Sequence, residues 1–248
     1  MPPRDRGHDP LIPSVPWNPR DIVWALFAVV FVLFLAAGAL QIARRAGGKG
    51  PLEGDVAGVP LEAAAVIFQG VVLLCATAAF SLAKYGAPLQ SLGLVLPKRP
   101  GAYRYALLVW LGALGVTVLY GLVVRAADIE GLQPPDTAAE LLGQPGGITA
   151  ALLLAAVWAP FNEEMFFRAF ALPGLARRHG PTLGVVLSSA IFAAFHVHPG
   201  ALVPTFVLGV ALALAYVRSG SVLPSIFIHA LHNTVVILLA RYAADVNV

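Results

Sequence analysis

Charged residues are scarce in this chain. They make up 12% of its 248 residues, whereas a soluble globular domain carries about 25%. So little charge cannot cover a water-facing surface, and the mean hydropathy of +0.80 agrees. The net charge is only +3, so we exclude a nucleic-acid-binding domain as well as a soluble enzyme and a disordered chain. The single cysteine, Cys75, excludes an internal disulfide, and we interpret it as a small packing residue.

Long apolar runs are what the sequence has instead. A membrane-spanning helix needs about 20 mostly apolar residues, and seven runs are candidates, of which the fifth and sixth are short. The pattern predicts an all-α, polytopic integral membrane protein with about seven transmembrane helices, or eight if one run is split. The runs are 22–42, 61–83, 103–124, 147–172, 182–196, 201–217 and 221–242.

The segments around these runs divide the chain into three parts and predict its orientation in the membrane. Residues 1–20 form a polar N-terminal tail, 21–146 hold three spans and their loops, and 147–242 hold the remaining four. The first run is too long for a signal peptide and predicts a retained span. Ten basic residues fall on one side of the predicted topology and five on the other, which favours a cytoplasmic N-terminus and, for seven spans, an external C-terminus. The ten are Arg4, Arg6, Arg20, Lys84, Lys98, Arg99, Arg104, Arg177, Arg178 and Arg218, and the five are Arg44, Arg45, Lys49, Arg125 and Arg241.

We interpret the four tryptophans, Trp17, Trp24, Trp110 and Trp158, as anchors at the membrane interface.

The fourth run contains three charged residues, Glu163, Glu164 and Arg168. A charge at the bilayer centre costs at least about 2.5–3.5 kcal/mol, so such groups usually face a protein interior or a water-filled cavity. Glu164 and Arg168 are four residues apart on one helix face and are predicted to pair. Glu163 is rotated by about 100° from Glu164 and is the better candidate for a general base. The alternative is that all three only form a packing network.

Histidines and an asparagine interrupt the later runs. His196 ends the fifth run and His198 follows it, although an isolated histidine at a helix end more often caps the helix. His229 and Asn233 in the seventh run share a helix face and offer two donors to a developing oxyanion. Interhelical hydrogen bonding is the alternative role for such side chains. His232 borders the same face.

Helix geometry brings most of these groups to one depth. Glu163 and His229 each lie roughly 12–13 Å from the predicted inner end of their span, and His196 lies at roughly 21 Å. A tilted helix would bring His196 level with the other two. We therefore expect three spans to meet around one polar site.

Three motifs carry a resemblance to a known family. Glu-Glu-x-x-x-Arg at 163–168, Phe-x-x-x-His at 192–196 and His-x-x-x-Asn at 229–233 resemble, in order, the motifs of the CAAX-protease and bacteriocin-processing (CPBP, or Abi) family. This family consists of polytopic intramembrane endopeptidases. The stretch 91–94 resembles a weaker family element. The resemblance covers roughly residues 147–242 and implies a polar catalytic cavity inside the helix bundle.

The resemblance implies a role for each motif residue. Glu163 and His196 would activate a water, His229 and Asn233 would stabilise the tetrahedral oxyanion, and Glu164 and Arg168 would support them. His198 and His232 lie outside the motifs and receive no role.

The need for a metal is left open. Glu163, His196 and His229 form a two-His, one-carboxylate set that zinc would accept. The sequence lacks His-Glu-x-x-His, and a zinc mechanism would require Glu164 to leave Arg168 in order to act as the base. We therefore favour a glutamate-type endopeptidase without a cofactor over a zinc metalloprotease.

The expected function is hydrolysis of a peptide bond in a membrane-associated protein or peptide. Prenylated Cys-a-a-X tails, secreted leader peptides and C-terminal sorting helices are all compatible substrates. Frequent Ala, Gly, Pro and Arg suggest a prokaryotic plasma membrane. One alternative is a non-proteolytic immunity or scaffold protein of the same fold. Another is a proton-coupled transporter, since buried Glu and His form proton relays, although we find no internal repeat.

Overall fold

Helices account for nearly all of the chain that the computed structural model describes, which is residues 12–47, 55–56, 59–133 and 147–246. Within these ranges seven long helices follow one another. They are α1 (Pro19–Ala46), α2 (Leu61–Ala83), α3 (Ala102–Ala126), α4 (Gly147–His179), α5 (Pro181–Phe195), α6 (Pro199–Ser219) and α7 (Leu223–Val246). Short 3-10 turns cover Leu89–Leu92 and Glu130–Leu132. A two-residue antiparallel pair joins β1 (Asp55–Val56) to β2 (Val59–Pro60). The predicted all-α polytopic fold is confirmed.

Six of these helices, all except α5, are long and apolar enough to cross a membrane. The chain is therefore an integral membrane protein. Helix α5 has 15 residues, which gives it a length of roughly 22 Å at 1.5 Å per residue, below the roughly 30 Å of the hydrocarbon core. Each of the seven predicted runs corresponds to one helix. An eighth long helix is absent from the described ranges.

Helix α4 is irregular on both sides of the segment that carries its two glutamates. Two π-helical stretches, Leu152–Trp158 and Met165–Ala171, flank the α-helical segment Ala159–Glu164. Pro160 and Pro173 each follow a π-helical stretch closely, and a proline cannot donate the backbone hydrogen bond of a regular helix. Such wide turns rotate the residues that follow them and frequently occur at functional sites.

The second half of α4 is the centre of the bundle. Residues 162–176 are buried without interruption, and α2, α5, α6 and α7 pack around this helix. Four buried phenylalanines fill the space between the helices: Phe166, Phe167, Phe170 and Phe192. A helical segment that is buried on all sides can carry charge, because its polar side chains meet protein rather than lipid.

The segment before α1 is docked onto α4, although it belongs to the predicted polar tail. Trp17 is fully buried, and its indole Nε1 donates to the carbonyl of Phe170 over 2.8 Å. Arg177 donates through Nη1 to the carbonyls of Pro16 and Trp17. A side chain at Gly174 would meet Trp17 Cδ1 at 2.8 Å, so this position requires glycine.

The prediction that the tryptophans anchor the protein at the membrane interface is wrong for two of the four, because these two are buried. Trp17 is a core residue, and Trp110 is only 8% exposed because it packs inside the bundle. Trp24 is 62% exposed, as an interfacial anchor would be. Trp158 is half-buried and donates to the carbonyl of Val66. Cys75, predicted to pack internally, is exposed on α2.

A buried carboxylate fixes the start of α1 to the end of α2. Asp21 accepts hydrogen bonds from the Asn18 backbone N–H at 2.9 Å, Lys84 Nζ at 2.5 Å and the Tyr85 hydroxyl at 2.8 Å. The hydrogen bond to Asp21 raises the pKa of the Lys84 ammonium, because it stabilises the charged form. The same carboxylate raises the pKa of Tyr85.

Candidate active site

Two adjacent carboxylates on α4 lie beside one guanidinium and one imidazole inside the bundle. Glu163, Glu164, Arg168 and His229 are all buried. Glu164 Oε1 accepts from Arg168 Nη1 at 2.9 Å, which is the pair that the four-residue spacing predicts. The same oxygen lies 2.9 Å from Nδ1 of His229 on α7. The sequence-predicted residues of the first and third motifs are therefore brought together.

Glu163 lies on the other side of the same imidazole. Its Oε2 is 3.9 Å from His229 Nε2, which is ion-pair distance but longer than a hydrogen bond. Since a carboxylate can only accept, Nδ1 of His229 donates to Glu164, and Nε2 is left on the Glu163 side. When His229 is protonated, the formal charges of these two carboxylates, Arg168 and His229 sum to zero.

Arg168 is also held in place by two contacts that do not involve Glu164. Its Nη2 donates to the carbonyl of Gly209 on α6 at 3.2 Å, and its Cζ lies 4.2 Å from the ring centroid of Phe192 on α5. Any Cβ at residue 209 would lie 3.1 Å from Ser189 Cβ, so the close approach of α5 and α6 favours glycine. One guanidinium thus connects α4, α5 and α6 around the acidic pair.

His196 reaches this cluster only through an aromatic ring. It follows the last residue of α5 and is exposed. The Phe192 ring centroid lies 4.8 Å from that of His196 and 5.7 Å from that of His229. The Nδ1 of His196 lies 2.9 Å from the carbonyl of Phe192, so Nδ1 donates and Nε2 keeps its lone pair. No hydrogen bond or ion pair joins His196 to Glu163 among the described residues.

The remaining polar candidates have partners of their own. Asn233 Nδ2 donates to the carbonyl of Ala155 on α4 at 2.5 Å. The ring of His232 accepts from Trp110 Nε1 at 3.4 Å. His198 caps α6, since its Nδ1 accepts from the Gly200 N–H at 3.1 Å. Asn233 and His232 thus make the interhelical hydrogen bonds that are the alternative to a catalytic role.

The donor set for zinc does not come together in this arrangement. Glu163 and His229 are close, whereas the ring that His196 contacts is that of Phe192. Among the described residues, no three His, Cys, Asp or Glu side chains form a group that could hold a metal ion. The three residues named for zinc therefore do not fit a metal site as they stand.

Two packing features beside Glu163 were not predicted from the sequence. The buried Asn162 donates through Nδ2 to the carbonyl of Trp158 at 2.6 Å. Gly70 on α2 faces the side chains of Trp158 and Asn162, and a Cβ at this position would lie 2.5 Å from Asn162 Nδ2. A glycine within an apolar run gives no sign of this close approach, because it depends on which helices are neighbours.

Comparison with known proteins agrees with the motifs. Residues 145–235 match a family model described as type II CAAX prenyl endopeptidase Rce1-like, and this range contains all three motifs and the buried cluster. No curated protein and no solved structure matches the chain. Residues 145–235 are therefore Rce1-like, which confirms the resemblance to the CAAX-protease and bacteriocin-processing family.

Proposed function

We propose that this protein is a CAAX-type intramembrane endopeptidase of the glutamate type, which hydrolyses a peptide bond in a membrane-associated protein or peptide. The observation that carries the proposal is the buried arrangement of Glu163 and Glu164 around His229 within a membrane protein. Burying two carboxylates is expensive, and a packing role would need only the one that Arg168 neutralises. The Rce1-like match supports a CAAX-type endopeptidase.

In the proposed reaction Glu163 is the general base. Its carboxylate takes a proton from a water molecule as that water attacks the scissile carbonyl carbon. The C–N bond then breaks as the proton is passed to the leaving amine. His196 is the second group proposed for water activation, since its Nε2 keeps a lone pair while Nδ1 is held by Phe192.

His229 and Asn233 are the proposed oxyanion donors. Glu164 fixes the ring of His229 by accepting from Nδ1. In the protonated imidazole Nε2 also carries a proton, on the side where Glu163 lies, and we assign this second N–H to the reacting carbonyl oxygen. Asn233 lies one turn further along α7 and has a second amide N–H besides the one donated to Ala155. A donor that is fixed before the reaction stabilises the developing charge without reorganising. Arg168 donates to Glu164 and holds that carboxylate in place.

The experiment that tests this proposal compares Glu163→Gln with a matched control. Glu62→Gln makes the same change of charge at an exposed position in the first turn of α2. Peptide termini are mapped by proteomics in membranes from cells that express wild type or either variant at equal levels. We expect defined new termini with wild type and Glu62→Gln. With Glu163→Gln their rate of formation should fall by about 10²–10⁴-fold, the usual contribution of a general base.

Three outcomes would contradict the proposal. Equal cleavage by Glu163→Gln and wild type would remove Glu163 from the chemistry. Identical termini with and without the protein, combined with a phenotype that still depends on it, would favour the immunity or scaffold alternative. Proton-linked transport that survives Glu163→Gln without any cleavage would favour a transporter.

A further inference from the structure

A cleft of about 400 Å³ opens where α1 begins and α4 ends, away from the buried acidic cluster. Its lining consists of Asn18, Pro19, Arg20, Arg177 and Arg178. Three of the five residues are therefore arginines, and none is acidic. The proposed peptidase chemistry uses none of them.

The positive charge of this arginine cleft is not neutralised by the described part of the protein. None of the three guanidinium groups has a carboxylate within ion-pair distance among the described residues. Arg20 and Arg178 are exposed. Arg177 uses only Nη1 to donate to the carbonyls of the docked N-terminal segment, so its guanidinium is held at the wall of the cleft while other N–H groups are left for a ligand.

The neighbouring Asp21 does not neutralise the arginines, and the N-terminus of α1 does not supply the attraction for an anion. Asp21 follows Arg20 in the chain but is buried and paired with Lys84 at 2.5 Å. The first turn of α1 is capped, because the Asn18 side chain accepts from the Arg20 N–H. The attraction of this cleft for an anion therefore comes from the arginine side chains.

The arginine cleft lies at a membrane boundary. Both helices that form it are spans, and the cleft is at the first turn of α1 and the last turn of α4. Over the next two turns of α1, Val23, Trp24 and Phe27 are 63%, 62% and 60% exposed, which is the pattern of a surface that faces lipid. Lipid phosphates occupy this depth, and basic clusters beside a span attract anionic headgroups.

We propose that the arginine cleft binds the phosphate of an anionic phospholipid headgroup. Guanidinium groups bind phosphate oxygens in pairs of parallel hydrogen bonds, and three of them converge on a cleft of the size usual for small ligands. Inorganic phosphate has the same chemistry, so the experiment must distinguish the two sources. The proposal does not depend on the peptidase activity.

The test uses the full chain in mixed micelles that contain equal amounts of phosphatidylglycerol and phosphatidylcholine, with bound lipids counted by native mass spectrometry. The variant is Arg20→Gln/Arg178→Gln, and the control is Arg99→Gln/Arg104→Gln, which removes the same charge from two exposed arginines outside the cleft. General attraction to an anionic surface contributes a factor of about five per basic residue, and both variants lose it alike. Only the cleft variant also loses charge-assisted hydrogen bonds to phosphate, so it should bind phosphatidylglycerol at least about tenfold more weakly than the control.

Equal losses in both variants, or no loss in either, would overturn the proposal. A second arm adds millimolar inorganic phosphate at an ionic strength matched with chloride. Displacement of phosphatidylglycerol would show that the cleft binds phosphate from solution as well, whereas no displacement would show that the lipid is the ligand. If the glutamine variant does not fold, Arg20→Lys/Arg178→Lys replaces it. A loss of preference that is larger than in Arg99→Lys/Arg104→Lys then supports the site, and equal preference overturns it.

Discussion

The Arg168→Leu substitution tests how the acidic cluster is held inside the membrane protein. Leucine removes the 2.9 Å ion pair with Glu164, the hydrogen bond to the Gly209 carbonyl and the contact with the Phe192 ring. Glu164 remains, fully buried, with a single partner in His229. The perturbation therefore strands a carboxylate in an apolar interior rather than only deleting a side chain.

The expected loss of stability follows from that stranded charge. Breaking a buried pair by removing one partner costs about 3–5 kcal/mol, whereas replacing both partners with neutral groups is often close to neutral. In Glu164→Gln/Arg168→Leu the hydrogen bond to Gly209 is still lost, which adds about 1 kcal/mol. We expect the double variant to lie within about 2 kcal/mol of wild type and therefore to be more stable than Arg168→Leu.

Unfolding in dodecyl maltoside micelles, driven by an increasing mole fraction of sodium dodecyl sulfate and followed by circular dichroism, measures both variants against wild type. Recovery of stability in the double variant is the critical observation. If Arg168→Leu costs less than about 1 kcal/mol, or if the double variant is the less stable of the two, the charge-stranding explanation is wrong.

Two further predictions concern packing around α4. Gly70→Ala places a Cβ against the indole of Trp158 and 2.5 Å from Asn162 Nδ2. This overpacking should lower the free energy of unfolding by about 1–3 kcal/mol and should displace Glu163. The control in the same unfolding assay is Gly112→Ala, where nothing lies within 4 Å of the added Cβ. Trp17→Ala removes a fully buried indole and its hydrogen bond to Phe170 and should lower the free energy of unfolding by about 3–5 kcal/mol. Trp24→Ala, at a 62% exposed position, should change stability little. Equal effects of the two tryptophan variants would contradict the docking of the N-terminal segment.

The helices could be predicted because lipid and helix geometry impose simple rules. An apolar run of about 20 residues has few alternatives to a membrane-spanning helix, and the seven runs all became helices. The extension of α4 to His179 was missed because its last turn is polar and basic, which ends an apolar run but not a helix. The burial of Trp17 was missed because a short polar segment carries no sign of the groove in which it docks.

The site could be predicted only where its geometry is local. Four-residue spacing within one helix is enough to place Arg168 against Glu164. The contact between His229 and Glu164 depends on the rotation of α7 relative to α4, and no spacing encodes that rotation. The π-helical stretches add to the difficulty, because each shifts the facing of later residues away from a regular helix.

The two neighbouring glutamates have different partners in this geometry, and the proposed function gives each of them a use. Glu164 shares one oxygen between Arg168 and Nδ1 of His229, so it is committed to holding the imidazole. Glu163 meets the opposite edge of that ring at 3.9 Å and has no hydrogen bond to Arg168 among the described residues. A site with Glu164 alone would hold a neutralised, inert ion pair. Because Glu163 is adjacent in sequence but on another face of α4, it adds a second carboxylate to an imidazole that is already oriented, and this second carboxylate is the one that the proposed water activation uses.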